Sequence, residues 1–505
     1  DSNLHPLCIY SDPVVRGFHP DPSICKVGED YYLVNSSFEY FPGIPVYHSR
    51  DLVNWKQIGN CITRKSQISL QGAKDSGGIW APTIRHYDGK FYVTSTLDGG
   101  GNFIVSTDDI QGEWSDPVWV PMSGIDPSLY FENRRTYYCT NQTLHPGQEE
   151  ITMAEIDIAT GRLLSEIKTI WKGTKGGFLE APHIYHIGHW YYMMTAEGGT
   201  NFNHMITIAR NRNLWGDYES CPYNPILTNR HDTSKEIQCT GHGDLIEDNH
   251  GNWWMLHLGI RLSRRTMSHL GRETFLTPVE WKEDWPVIGN DGKAKLIEKG
   301  PLWEKQREKK CFAPDFGEEN WEPDWIFLRN PDFSNYIRGN GTLTIRPSAK
   351  LEESQSSPSF TAIRQCDFSC KVEVNLQFSP VLDGDEAGIL IYLSSEFYYC
   401  FSKKKIDGEN YLVVEKKAED FIQRSCMVKI KGERLRLIIE ADALEYRFYY
   451  EQEEEEITHF AGRASTRFLS CEIAGKCFTG TVIGLYALCE NPSTAEAIFD
   501  GFCMK

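Results

Sequence analysis

Three carboxylic acids stand at corresponding places in short, similar segments of the chain: Asp21 in FHPDPS, Asp126 in GIDPS and Glu180 in FLEAPH. An Asp next to Pro starts a turn readily, so Asp21 or Asp126 taken alone is as well read as a turn residue. Glu180 has no such turn or capping role. Three acids gathered at one place repel one another, and a scaffold with no ligand has no reason to collect them. Two chemistries need such a cluster. One is coordination of a hard cation by oxygen ligands; the other is glycoside hydrolysis, in which one carboxylate acts as base or nucleophile and another as acid. The 25 Phe, 24 Tyr and 14 Trp favour the second, because sugar rings lay their C–H faces on aromatics while their hydroxyls bond to polar groups. Trp80 and Phe38 are the aromatics nearest these motifs in register, and each could equally be core.

The elements that must position these acids form an internal repeat. Five segments begin at Asp21, Ala81, Asp126, Ala181 and Gly243. Each has a β-type residue at its fourth position, a turn (GED, DGK, ENR, IGH or NHG), and then an aromatic pair whose second member is Tyr32, Tyr92, Tyr138, Tyr192 or Trp254. That is the pattern of a hairpin with a returning strand rich in Tyr, Trp, Val and Thr. The copies start 60, 45, 55 and 62 residues apart, enough for four short strands each. Five such blades close a ring around a central channel. The starts of the innermost strands then converge on one mouth, bringing together Asp21, Asp126 and Glu180 with Trp80 and His242. Five unrelated hairpins in another all-β fold would be the bland alternative.

From about residue 298 to 320 the sequence turns charged and loop-like, and the blade register stops. The later runs, such as KVEVNLQFS, GILIYLSSEFYYCFS and RLRLIIEADALEYRFYYEQ, fit one sandwich of two antiparallel sheets. The expected division is therefore an all-β chain with a five-bladed propeller over 1–305 and a β-sandwich over 306–505.

With 52 basic against 70 acidic residues the formal charge is −18, which repels phosphate backbones and anionic lipid and argues against a nucleic-acid or membrane partner. No window approaches about 18 consecutive apolar residues. The 15 cysteines include no C-x-x-C pair, so mostly reduced, buried thiols are expected. They favour a cytoplasmic location, with a periplasmic or secreted mature form left open. Asn35, Asn141 and Asn340 begin N-x-S/T triplets, which arise often by chance.

FHPDPS, NSSFEYFPGIPVYHSRDLVNW, GGIWAPTIR, GIDPSL, EAPHIY, TGHGDL and LGRETFLTPV, in that order, resemble the two-domain β-xylosidases of glycoside hydrolase family 43. The resemblance spans almost the whole chain. It implies a five-bladed propeller followed by a β-sandwich, and exo-acting, inverting release of terminal xylose from β-1,4-xylooligosaccharides, with terminal α-L-arabinofuranose as a second substrate. By the same resemblance Asp21 is the general base, Glu180 the general acid, and Asp126 the third acid that orients the donor and raises its pKa. Arg272 would bind sugar hydroxyls, while Trp80, Phe38 and His242 would shape the pocket and Phe478 of CFTG would close its rim from the second domain. No cofactor is required, though a hydrated divalent cation such as calcium in the channel near His242 is compatible with the resemblance. A homo-oligomer is expected. Three rivals stand beside this reading: a predominant α-L-arabinofuranosidase, a carbohydrate-binding propeller without turnover, and a metal-stabilised interaction scaffold. A retaining fructosidase of similar architecture would carry a W-M-N-D-P-N-G-like motif and an E-C acid motif, where this chain has FHPDPS and EAPH.

Overall fold

The computed structural model describes residues 7–145, 147–308, 311–317, 320–351 and 357–505. Residues 309, 310, 318 and 319 of the charged stretch expected between domains, and residues 1–6, lie outside the described residues.

Each expected hairpin is the inner half of a four-stranded antiparallel sheet, and five such sheets follow one another along the chain. Their innermost strands are Ser23–Val27, Thr83–Tyr87, Ile125–Glu132, Glu180–Ile187 and Ile237–Glu247. Tyr, Trp, Val and Ile suit these half-buried pleated surfaces, and GED, DGK, ENR, IGH and NHG supply the reversals. Apolar seams hold neighbouring sheets face to face. Ile104, Leu129 and Tyr138 join the second and third blades, and Trp254 and Leu256 of the fifth pack on Ile24 and Leu33 of the first, closing the ring. The N-terminal strand Cys8–Ser11 pairs outside the blades with Ile297–Gly300. Asp12 then accepts the backbone N–H of Leu276 in the fifth blade at 3.0 Å.

At the axis one buried carboxylate ties four blades together. Asp244, on the inner strand of the fifth blade, accepts from Ser23 Oγ at 2.8 Å and Ile24 N at 3.0 Å in the first. It also accepts both terminal nitrogens of Arg85 in the second at 2.8 and 3.0 Å, and the hydroxyl of Tyr185 in the fourth. Burial opposes ionisation of this carboxyl, but the Arg85 guanidinium prevails and holds it well below the ordinary Asp range.

The second domain is a sandwich of an eight-stranded and a seven-stranded antiparallel sheet. Alternation sets its inner faces: along Cys370–Phe378 every second residue from Val372 is buried. Val372, Phe378, Ile389, Phe401, Leu437, Phe448 and Phe499 belong to the core between the sheets. One strand departs from a clean division into two domains. Tyr40–Phe41 of the propeller chain pairs with Ile326–Leu328 and so ends the eight-stranded sheet. Phe18, Phe38 and Tyr40 then join Ile326, Leu328 and Tyr392 in one interdomain core.

The cysteines match the expectation only in part: Cys471 and Cys477 form a disulfide, and of the other thirteen, which do not, seven are buried. Asn35 and Asn141 are buried, which removes two of the three N-x-S/T triplets as surface acceptors. No helix among the described residues is long and apolar enough to cross a membrane.

Asp244→Asn leaves Arg85 buried without its counter-charge, a change that typically costs about 3–5 kcal/mol. Thermal unfolding followed by calorimetry should register a clear fall in Tm, larger than that of Asp30→Asn at the half-exposed pair with His48.

Candidate active site

The mouth of the channel is built by a local irregularity repeated from blade to blade. Asp21, Asp126, Ala181 and His242 all have left-handed backbone, with φ of 54°, 52°, 55° and 50°. The pairing registers slip at the same places, between Ile125 and Ser128, between Glu180 and His183, and between Gly241 and Asp244. A bulge at the start of an inner strand re-aims the side chain away from the ordinary pleat. Each such non-glycine residue costs of order 1–3 kcal/mol, a strain that persists only where the surroundings over-determine it.

The expected residues occupy these elements as follows. Asp21 lies two residues before the inner strand of the first blade, Asp126 is the second residue of that in the third, Glu180 opens that in the fourth, and His242 is within that in the fifth. Trp80 precedes the inner strand of the second blade, and Arg272 immediately precedes the third strand of the fifth, Glu273–Lys282. Phe38 bridges Ile79 from the loop of the first blade. Phe478 reaches the site from the sandwich, in the loop between the short helix Cys471–Ala474 and the strand Val482–Leu488.

Arg272 joins them. One terminal nitrogen lies 3.3 Å from Asp21 Oδ1 and donates to Thr200 Oγ1 at 3.1 Å; the other donates to the Phe478 carbonyl at 2.9 Å. Its guanidinium carbon is 5.8 Å from the centre of the Phe38 ring and 5.6 Å from that of Phe478. Those two rings stack with centroids 6.0 Å apart. The cation therefore lies beside this stacked pair, within reach of both rings.

The three acids have different surroundings, and their protonation follows. Asp21 is 5% exposed. Burial pushes its pKa up, but Arg272, His242 with Nδ1 at 3.3 Å, and a hydrogen bond from Ser36 Oγ outweigh burial and hold it below the ordinary Asp value. Asp126 accepts the Ala181 N–H at 3.1 Å, yet burial leads and its pKa rises to about 6. Glu180 is raised well above the usual Glu value, first by burial and then by the charges of Asp126 and Asp21. The sequence attributed that rise to Asp126; desolvation is the larger cause.

Three participants escaped the sequence reading. Ser36 and Thr200 lie in the motifs NSSF and EGGT, whose hydroxyls carry no signal of direction. His204, kept neutral by burial at a pKa of about 4, donates its Nδ1–H to the Cys239 carbonyl at 2.9 Å and lies near enough to Asp21 to interact with its charge. No group of three or more His, Cys, Asp or Glu side chains among the described residues is arranged to hold a metal ion.

A mouth with one ionised carboxyl, one protonated carboxyl, a fixed guanidinium and aromatic walls can cleave an acetal by acid–base catalysis. Comparison with known proteins agrees. Residues 10–286 match the family model of Glycosyl hydrolases family 43, and 313–505 match that of the Beta xylosidase C-terminal Concanavalin A-like domain. The chain is 37% identical to a non-reducing end alpha-L-arabinofuranosidase of Bacteroides ovatus, over 98% of this chain and 94% of that protein. It is 35% identical to a xylosidase/arabinosidase of Butyrivibrio fibrisolvens, over 98% of each. The solved Bacteroides ovatus xyloglucan PUL GH43B structure superposes with a TM-score of 0.94 at 36% identity, over 99% of this chain and 100% of that one.

Ser36→Ala removes a hydrogen bond to the charged form of Asp21 while leaving Arg272 and His242 in place. A bond of that kind is worth about 1.5–3 kcal/mol, so the Asp21 pKa should move up by roughly one unit or more. Carbon-13 NMR titration of labelled aspartate carboxyls would check this, and an unmoved Asp21 would contradict it.

Proposed function

Because this chain belongs to family 43 of the glycosyl hydrolases, we propose that it removes single xylose units from the non-reducing ends of β-1,4-xylooligosaccharides with inversion at the anomeric carbon. It is a glycoside hydrolase. Terminal α-L-arabinofuranose is proposed as a second substrate, on the support of relatives named for both activities. The observation that carries the reading is the opposite protonation bias of Asp21 and Glu180 in one mouth.

Asp21, ionised, takes a proton from a water as that water attacks the anomeric carbon. Glu180, protonated, gives its proton to the glycosidic oxygen as the bond to the leaving sugar breaks. Inversion requires room for that water, hence carboxyl groups roughly 6.5–9.5 Å apart. Asp126 fixes the backbone beside the acid through the Ala181 N–H and opposes loss of the Glu180 proton. Arg272 offers donors to adjacent sugar hydroxyls, and Trp80, Phe38, His242 and Phe478 form the walls. The exo mode is supported by the sandwich packing on the site side, where Phe478 closes one rim.

No step in this chemistry uses a metal. A hydrated calcium ion beside His242 is proposed only as an electrostatic aid, so dialysis against EDTA should leave most activity, and calcium should restore any loss. Self-association is proposed from the outermost strand of the sandwich, where Phe421 and Ile422 are 76% and 72% exposed. The cytoplasmic location is proposed on the preponderance of unbridged cysteines.

Glu180→Gln removes the proton donor, so hydrolysis of xylobiose should fall by about 10² to 10⁴ while an aryl xyloside with an acidic leaving group keeps more of its rate. With Asp21→Asn both substrates should fall together. Asp126→Asn should move the alkaline limb of kcat/KM to lower pH, because a neutral neighbour no longer opposes ionisation of the acid. That shift stays partial, since burial of Glu180 persists. Equal losses on both leaving groups for Glu180→Gln, or release of product with retained configuration, would contradict these roles.

A further inference from the structure

The aromatic wall of the pocket comes from three separate places: Phe38 in the first blade, Trp80 before the second, and Phe478 in the sandwich. Trp80, Phe478 and the neighbour of Phe38 all bond to one residue, Ser76, 5% exposed in the loop between Lys56–Ile62 and Thr83–Tyr87. Its backbone N–H donates to Oε2 of Glu39, the neighbour of Phe38, at 2.9 Å. Its carbonyl accepts the Trp80 indole N–H at 3.1 Å. Its hydroxyl accepts the Phe478 backbone N–H at 2.9 Å. The next link outward is also polar: the Phe478 carbonyl accepts from Arg272, which lies against Asp21.

The surrounding loop is built to hold this residue. Ser76 has left-handed backbone with φ of 58°, where a non-glycine residue is strained. Beside it, Asp75 accepts the N–H of Ser395 in the sandwich at 3.2 Å and its hydroxyl at 2.5 Å. Two residues on, Gly78 has φ of 76°, and a Cβ there would stand 2.1 Å from the Phe38 carbonyl oxygen. The backbone hydrogen bonds to Glu39 and Trp80 do not depend on the side chain at position 76, proline excepted. Of the three hydrogen bonds at Ser76, the hydroxyl's is the one that reaches the sandwich wall, beside the Phe38–Phe478 stack and the Arg272 bond to the Phe478 carbonyl.

We propose that Ser76 is a positioning residue that sets the distance between Phe478 and the propeller walls and thereby the preference of the pocket for a xylopyranosyl over an arabinofuranosyl end. This rests on the sugar-pocket reading above. A xylopyranose chair is flat with two apolar faces, and it gains from parallel walls at fixed separation. An arabinofuranose is puckered and carries an exocyclic hydroxymethyl group, so it loses less when one wall recedes.

The test compares kinetics of Ser76→Gly, Ser76→Ala and Ser76→Thr on aryl β-xyloside and aryl α-L-arabinofuranoside, with Tm measured beside them. Glycine keeps both backbone links, adopts φ of 58° without strain, and deletes only the hydroxyl. A single neutral hydrogen bond corresponds to about a 3- to 10-fold change, so KM for the xyloside should rise by that factor with kcat nearly unchanged. KM for the arabinofuranoside should move less. Ser76→Ala should give the same KM shift, and Ser76→Thr, which keeps a hydroxyl, should retain the original KM even if its β-branch lowers Tm. A purely structural role would instead lower Tm and kcat on both substrates in the same proportion, and that result, or an unchanged substrate ratio in Ser76→Gly, overturns the proposal. Failure of the unsubstituted enzyme to hydrolyse either glycoside would overturn the sugar-pocket reading instead, so the two failures are distinguishable.

Discussion

The position of every group at the channel mouth depends on the ion pair between Asp244 and Arg85. A propeller has no continuous sheet around its axis, so its inner strands share no backbone ladder and could slide along one another. Asp244 prevents this by accepting from the first, second and fourth blades while standing on the fifth. Its carboxylate is wholly buried, so it stabilises the ring only while all its partners are in place. His183 completes the arrangement as a neutral ring. Burial drives its pKa to about 3, which leaves Nδ1 free to accept from Arg85 at 3.3 Å. The charge near the axis is thus neutralised within the scaffold and adds little to the field at the mouth.

With the strands held at fixed height, the bulges at their starts can serve function. A regular pleat would send the side chains at the starts of these strands to a blade face. Left-handed backbone at residues 21, 126 and 181 breaks that pattern and turns Asp21, Asp126 and the backbone after Glu180 toward the axis. The third-blade acid then meets the fourth-blade backbone directly, through the Ala181 N–H. The cost of strain is borne at four residues and is spread over four blades, each stabilised by its own apolar seam.

Much of this arrangement is legible in the sequence because the repeat is a physical one. Tyr138 or Trp254 must fill a seam between blades, and the turn before it must reverse the chain, so aromatic and turn recur together wherever a blade recurs. Aligning the hairpins therefore aligned Asp21, Asp126, Glu180, Trp80 and His242 without any coordinates. What escaped was set by contacts between remote segments. Ser36, Thr200 and Ser76 act through a single hydroxyl whose direction depends on backbone torsion, and nothing in NSSF or DSGG encodes it. The strand Tyr40–Phe41 is only two residues long and belongs to a sheet made almost wholly from residues beyond 320. Cys471 and Cys477, six residues apart, match no redox or metal spacing, and their pairing follows from a tight loop that the sequence alone does not close.

Neighbouring register positions in three blades yield three different acids because each blade supplies different partners. Asp21 has the guanidinium of Arg272, a ring nitrogen of His242 and the hydroxyl of Ser36, three groups that favour its charged form. Asp126 is raised to about 6, first by burial and then by the charge of Asp21, against the pull of His242 and of the Ala181 N–H. Glu180 has burial and the charges of Asp126 and Asp21, opposed by the more distant charge of Arg272. Since Arg272 is held against Asp21 by Thr200, Phe38 and the Phe478 carbonyl, its charge cannot shift toward Glu180. The sandwich therefore does more than cover the mouth: its Phe478 carbonyl helps hold the one cation that favours the charged form of Asp21, while burial raises Glu180.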